Sequence, residues 1–112
     1  MSAARYNLVI DQGSDFAVNF TVKEDGSVKN LTGYSARAQM RTSKSATGVA
    51  ATFTCTIPTP TNGTVVMSLP NATSSAMAAG TYVYDLEIFT SGDATVTRLI
   101  QGSVDLTQEV TR

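Results

Sequence analysis

The sequence predicts an all-β fold, and three observations carry that expectation. Apolar and polar residues alternate along most of the chain, turn-forming residues interrupt the alternation roughly every ten positions, and Thr, Ser, Val and Ala are abundant while long charged side chains are scarce. Strict period-two alternation places every second side chain on one face of an extended segment, so each such run describes a strand with one dry and one wet face. At 112 residues the chain can bury one core without metals or disulfides, so a single domain over 1–112 is expected, with a short N-terminal arm 1–5 and a C-terminal tail 107–112.

The elements follow in order. Tyr6, Leu8 and Ile10 alternate, and Asp11-Gln12-Gly13-Ser14 supplies a turn. Phe16, Val18, Phe20 and Val22 alternate with Asn19, Thr21 and Lys23, and the following Asp25-Gly26 favours a tight hairpin to a short partner around Val28. Tyr34, Ala36, Ala38 and Met40 form the inner face of a further strand whose outer face carries Arg37 and Arg41. The small polar stretch 42–48 is a loop. Ala51, Phe53, Cys55 and Ile57 make the next strand, the prolines at 58 and 60 close it, and Val65, Met67 and Leu69 return as its hairpin partner.

One short helix is expected near 71–79, with Asn71 or Thr73 as cap and Gly80 at its end. Tyr82, Tyr84, Leu86 and Ile88 then alternate, Ser91-Gly92-Asp93 turns, and a last strand runs from Val96 to about Leu106. Adjacent Leu99 and Ile100 break its phase, which points to a β-bulge or to a strand passing between sheets. Seven or eight strands with one minor helix predict an immunoglobulin-like antiparallel β-sandwich. The immunoglobulin tryptophan and disulfide are both missing, so the analogy is architectural.

The composition excludes most active sites. No histidine is present, which removes Ser-His-Asp and Cys-His arrangements and any histidine-containing zinc site. The single cysteine, Cys55, permits no intrachain disulfide, and its phase with Phe53 and Ile57 makes it an inert core thiol. No glycine-rich phosphate loop occurs. Asp85 and Glu87 lie two apart on one strand face, a spacing compatible with acid-base work, but a solvated polar face beside Arg37 or Arg98 is the plainer reading. Asp11, Asp15, Glu24 and Asp25 sit at turns, where aspartate bonds locally, with a weak calcium site as the lesser reading. Tyr34, Tyr82 and Tyr84 would suit a carbohydrate platform, yet their phase assigns them to packing with hydroxyls at the rim. The four Asn-x-Ser/Thr triplets, starting at Asn19, Asn30, Asn62 and Asn71, read as chance products of a Thr-rich chain.

A net charge of −1 with scattered basic residues gives no footprint for nucleic acid or an anionic membrane. No apolar run is long enough to span a bilayer, and Met1 to Arg5 lacks a secretory core. A protein that folds in a reducing cytoplasm, with no cofactor, metal, nucleic acid or membrane partner, is expected.

Three segments carry a family resemblance: Ile10-Asp11-Gln12-Gly13-Ser14-Asp15-Phe16 leading through Asn30-Leu31-Thr32-Gly33-Tyr34 to Met40-Arg41; Ala79-Gly80-Thr81-Tyr82-Val83-Tyr84-Asp85-Leu86; and Arg98-Leu99-Ile100-Gln101-Gly102 to Val110-Thr111-Arg112. Together they resemble small tailed-phage virion structural proteins with an immunoglobulin-like module, similar to the N-terminal module of phage baseplate upper proteins. The resemblance implies a non-enzymatic virion component, made in the bacterial host cytoplasm, that docks onto baseplate, tail, neck or capsid subunits and is a homo-oligomer within the particle. Because the chain ends directly after the sandwich, an adaptor, decoration or cement role is expected rather than direct host recognition. The alternative is a carbohydrate-binding sandwich used in host-surface attachment.

Docking of this kind would use strand addition or an extended arm. Candidate contacts are Ser2, Ala3, Arg5 and Tyr6 in the stretch 1–6, Arg41 and Lys44 at the 41–49 loop, and Asp105, Glu109 and Arg112 in the stretch 104–112.

Overall fold

The alternating runs form ten strands in a computed structural model that describes residues 4–24 and 26–110. They are β1 Ala4–Arg5, β2 Leu8–Asp11, β3 Phe16–Thr21, β4 Lys23–Glu24, β5 Ser27–Val28, β6 Ser35–Arg41, β7 Ala51–Thr56, β8 Thr64–Leu69, β9 Gly80–Phe89 and β10 Val96–Thr107, with one α-helix, α1, at Asn71–Ser75 and short 3-10 turns at Pro60–Asn62 and Ser91–Asp93. Eight of the strands belong to one continuous ladder in the order β1-β10-β9-β6-β7-β8-β3, with β2 also on β10. The remaining two, β4 and β5, form the small hairpin expected around Val28, and Gly26 takes the positive φ of 81° that its turn needs. Asp25 lies outside the described residues. The fold is an all-β sandwich.

The ladder becomes two layers at β7. Ala51, Thr52 and Phe53 pair with Met40, Gln39 and Ala38 of β6, whereas Thr54, Cys55 and Thr56 pair with Ser68, Met67 and Val66 of β8. A single strand therefore serves both sheets, one half each. The expected phase break at Leu99 is a β-bulge, the first of its two readings: Arg98 faces Glu87 and Ile100 faces Leu86, so Leu99 is the extra residue within the β9–β10 hairpin.

Side-chain alternation puts Ile10, Met40, Val65, Met67, Leu69, Leu86, Ile88, Val104 and Leu106 between the layers, almost fully removed from water. The Phe53 ring sits between Phe16 and Tyr84, with centroids 6.4 and 6.2 Å away, and so links β3 to β9 across the core.

Three details differ from expectation. The ladders are antiparallel except at β10, where β1 and β2 both join in parallel. Helix α1 ends at Ser75 and its N-cap is Pro70, with no side-chain bond from Asn71 or Thr73. Asp15 takes the capping role from 56 residues away: its Oδ1 accepts from both the backbone N–H and the side-chain amide of Asn71, each at 2.8 Å. Gly80 does not close the helix but opens β9 at φ 149°, and Ala76 in right-handed geometry closes it. No helix among the described residues is long and apolar enough to cross a membrane.

Candidate functional site

Extended chain laid across β10 forms the first feature with the character of a docking site. Ala4 and Arg5 lie opposite Ile100 and Gln101, and the Tyr6 N–H donates to the Gln101 carbonyl at 3.0 Å. The Tyr84 hydroxyl, reaching up from the core face of β9, donates to the Tyr6 carbonyl at 2.6 Å, and the Ser103 N–H donates to Asn7 Oδ1 at 3.1 Å. Gly102 lies beneath this crossing, and any Cβ there would collide with the Tyr6 carbonyl. The glycine is required by close backbone approach, a meaning that an isolated glycine inside a strand often carries. The Tyr6 ring, half exposed, meets Phe20 of β3 edge-on with centroids 5.5 Å apart. Burial, with a smaller contribution from Tyr6, pushes the Tyr84 phenol up to about 12, which keeps it a neutral donor.

The turn 11–14, together with Asp15, ties α1 and the tail to the sheet. Gln12 donates from its backbone to the Thr107 carbonyl at 3.0 Å and from its side-chain amide to the Met77 carbonyl at 2.8 Å, and its Oε1 accepts the Glu109 N–H at 2.9 Å. The Gly13 N–H donates to Ser74 Oγ at 3.0 Å, and Ser74 is fully buried. Gly13, at φ 86°, leaves room for the Glu109 carboxylate, which a Cβ would strike. Asp11 Oδ1 accepts from the Thr107 hydroxyl at 2.9 Å. Asp11 and Asp15 are thus occupied by hydrogen bonds as turn residues, and no group of three metal-ligating side chains occurs among the described residues.

The outer face of β6, β9 and β10 holds a depression of about 500 Å³. Asp85 and Glu87 both line it, paired across strands with the two arginines their positions suggested. Arg37 Nε is 2.8 Å from Glu87, its Nη1 is 3.3 Å from Asp93, and its guanidinium lies 4.3 Å from the centre of the Phe89 ring. Arg98 Nε is 3.3 Å from Asp85. Burial, reinforced by Glu87, raises the Asp85 carboxyl above its ordinary value, against the opposing pull of Arg98, Arg41 and Lys44. The result is an ion-paired plateau.

The candidate contacts fall in different settings. Arg5 is exposed on β1, and Asp105 is exposed on β10. Arg41 organises its own loop, donating to the carbonyls of Ala46 and Thr47 at 3.1 and 3.0 Å and to Gln39 Oε1 at 3.0 Å. Lys44 borders the depression, and Glu109 is held at the turn. Ser2, Ala3 and Arg112 lie outside the described residues. The close approach at Gly102 carries a sequence signal, a single glycine inside a strand, whereas the Tyr84 hydroxyl, expected at the rim, meets a backbone carbonyl of the arm.

Two other candidates fit the packing interpretation. Tyr82 and Tyr84 are buried, with hydroxyls donating to the carbonyls of Ala78 and Tyr6. The half-buried Cys55 thiol is pushed up to about 11 by burial, so little thiolate is present at neutral pH.

The class these features define is an all-β sandwich bearing an arm seat and an ion-paired outer face. No protein-family model matches the sequence, and no curated protein matches it. Among solved structures it is similar in shape to a family 123 glycoside hydrolase from Clostridium perfringens, at a TM-score of 0.42 and 12% identity over 100% of this chain and 24% of that one. The chain therefore spans about a quarter of that enzyme's length, and nothing of the enzyme's activity carries over.

Proposed function

We propose that this chain is a non-enzymatic structural module of a tailed-phage virion, docking onto neighbouring baseplate, tail, neck or capsid subunits as an adaptor, decoration or cement protein. The observation that carries the docking reading is the arm seat: residues 4–7 are laid on β10 by main-chain bonds, the Tyr84 hydroxyl and the missing Cβ of Gly102. Such a seat fixes where the arm leaves the domain, as contact through an extended terminal segment requires. The virion context rests on the three-segment resemblance. The ion-paired outer face supports a non-catalytic reading, because its carboxylates are engaged by cross-strand arginines.

Deleting residues 1–5 tests the proposal. The shortened domain should keep its far-ultraviolet spectrum and cooperative unfolding yet fail to enter particles assembled with the other virion proteins. Normal incorporation would remove the arm from the mechanism. Absence of the intact chain from purified particles would remove the virion role itself.

A further inference from the structure

Among the described residues, no strand pairs with the outer edge of β3. The six residues Phe16–Thr21 include no charge, no proline and no bulge, the devices that ordinarily keep an edge from pairing with another chain. The Val22 N–H donates to the Gly63 carbonyl at 2.7 Å, which sets the phase of the β3–β8 ladder. By alternation, Ala17, Asn19 and Thr21 turn their N–H and C=O groups away from β8. An edge so exposed and so unguarded is a template for one more strand.

We propose that the strand it receives is β3 of a second copy, antiparallel, about a two-fold axis through Asn19. In that register Asn19 faces its own counterpart, and Ala17 faces Thr21 of the other copy. All are residues whose backbone groups point outward, so three pairs exchange six main-chain hydrogen bonds. Flanking side chains select the same alignment. Continued one residue before β3 and two beyond it, the register sets exposed Asp15 of each copy, whose Oδ1 also caps α1, opposite exposed Lys23 of the other, whereas on the inner face Val18 meets Phe20 and Phe16 meets Val22. Phe16, Val18 and Phe20 remain only half-buried within one copy, so the pairing covers apolar surface that β8 leaves uncovered. A two-residue slip would lose the Asp15–Lys23 match and shorten the ladder. A one-residue slip would set outward-bonding residues against inward-bonding ones. The interface is self-complementary, as a closed two-fold contact must be. It uses none of the main-chain contacts of the arm seat, sharing with it only Phe20, on which the Tyr6 ring packs, and it holds whether or not the virion reading does.

Sedimentation of the full chain at sub-millimolar concentration should show a reversible dimer, and a strictly monomeric chain would overturn the proposal. Asn19→Lys places like charges against each other at the axis, so it should abolish the dimer while leaving the circular dichroism spectrum unchanged. Single cysteines in a Cys55→Ser background read the register independently. At the axis the two Cα atoms stand about 5.5 Å apart, within the span of a disulfide, so Asn19→Cys should cross-link to itself on mild oxidation. Ala17→Cys and Thr21→Cys should each stay uncrosslinked alone and cross-link when mixed. Failure of Asn19→Cys to cross-link, or equal cross-linking of Thr21→Cys with itself, would overturn the register.

Discussion

The two lateral edges of the sandwich are finished in opposite ways. At the β10 edge the chain adds its own cover: β2 pairs alongside Val104 to Thr107, β1 continues over Ile100 and Gln101, and Gly102 admits the backbone between them. At the β3 edge one strand ends the sheet, with no further strand among the described residues paired to it and its apolar face only half-buried. Both edges are hydrophobic and β-prone, yet only one is closed within the chain. A covered edge is a stability element, whereas a bare one is an association surface, and the same mutation should read differently on each.

The sharpest contrast is between equivalent apolar truncations. Ile10 in β2 is fully buried, so Ile10→Ala should remove about 3 kcal/mol through lost transfer energy and a cavity. Val18 in β3 is partly exposed, so Val18→Ala should remove only about 1 kcal/mol from the isolated domain, measured by urea unfolding at a concentration too low for self-association. Equal losses would break the contrast. Next in size, Gly102→Ala should cost about 2 kcal/mol, because a Cβ cannot coexist with the Tyr6 carbonyl and the arm must lift from β10. Faster amide exchange at Tyr6 with unchanged exchange in β8 would locate the damage at that edge.

How far these edges were legible in the sequence depended on the range of the interaction involved. The alternation of Phe16 to Val22 and of Tyr82 to Ile88 is local, and it predicted strands whose buried faces are the expected ones. The Leu99 bulge was legible for the same reason, since an extra residue leaves two large apolar neighbours in sequence. The change of sheet within β7 left no mark, because Ala51, Phe53 and Cys55 keep perfect phase while their hydrogen-bond partners change. Asp15 as the cap of α1 was likewise hidden, because the acceptor lies far from the helix in sequence and Asn71 and Thr73 are ordinary local caps. Of the candidate site, the pairing of Arg37 and Arg98 with Glu87 and Asp85 was legible from side-chain phase, but the arm seat was not. It depends on parallel pairing across most of the chain's length.

A smaller effect tests how the covered edge is held. Tyr84→Phe removes the donor to the Tyr6 carbonyl and should cost about 1 kcal/mol at neutral pH. Its signature is pH dependence. The phenol ionises near its ordinary value of 10.0 in the unfolded chain but only at about 12 in the folded one, so unfolding releases a proton in this window. Stability therefore falls as pH rises from about 10 and levels off past about 12, where both states are ionised. Tyr84→Phe should lack that part of the alkaline decline while keeping the part from Cys55, which falls between about 9 and about 11. An unchanged alkaline slope would sever the hydroxyl from the support of the arm.

The least costly changes belong to the ion-paired face, which lies between the two edges and depends on neither. Its pairs are solvated, so Arg98→Ala should move stability by no more than about 0.5 kcal/mol. The electrostatics should respond even where stability does not. Burial and Glu87 raise the Asp85 carboxyl, and Arg98 opposes them, so Arg98→Ala should shift the Asp85 titration to higher pH and Glu87→Gln should shift it lower. Carboxyl chemical shifts followed through acid pH measure both displacements. Displacements of opposite sign, with midpoints of urea unfolding almost unmoved, would separate this face from both edges: it sets local charge and contributes little to holding the sandwich together. If both variants shifted Asp85 in the same direction, its raised value would have to come from some source other than the balance of Glu87 and Arg98 across β9 and β10.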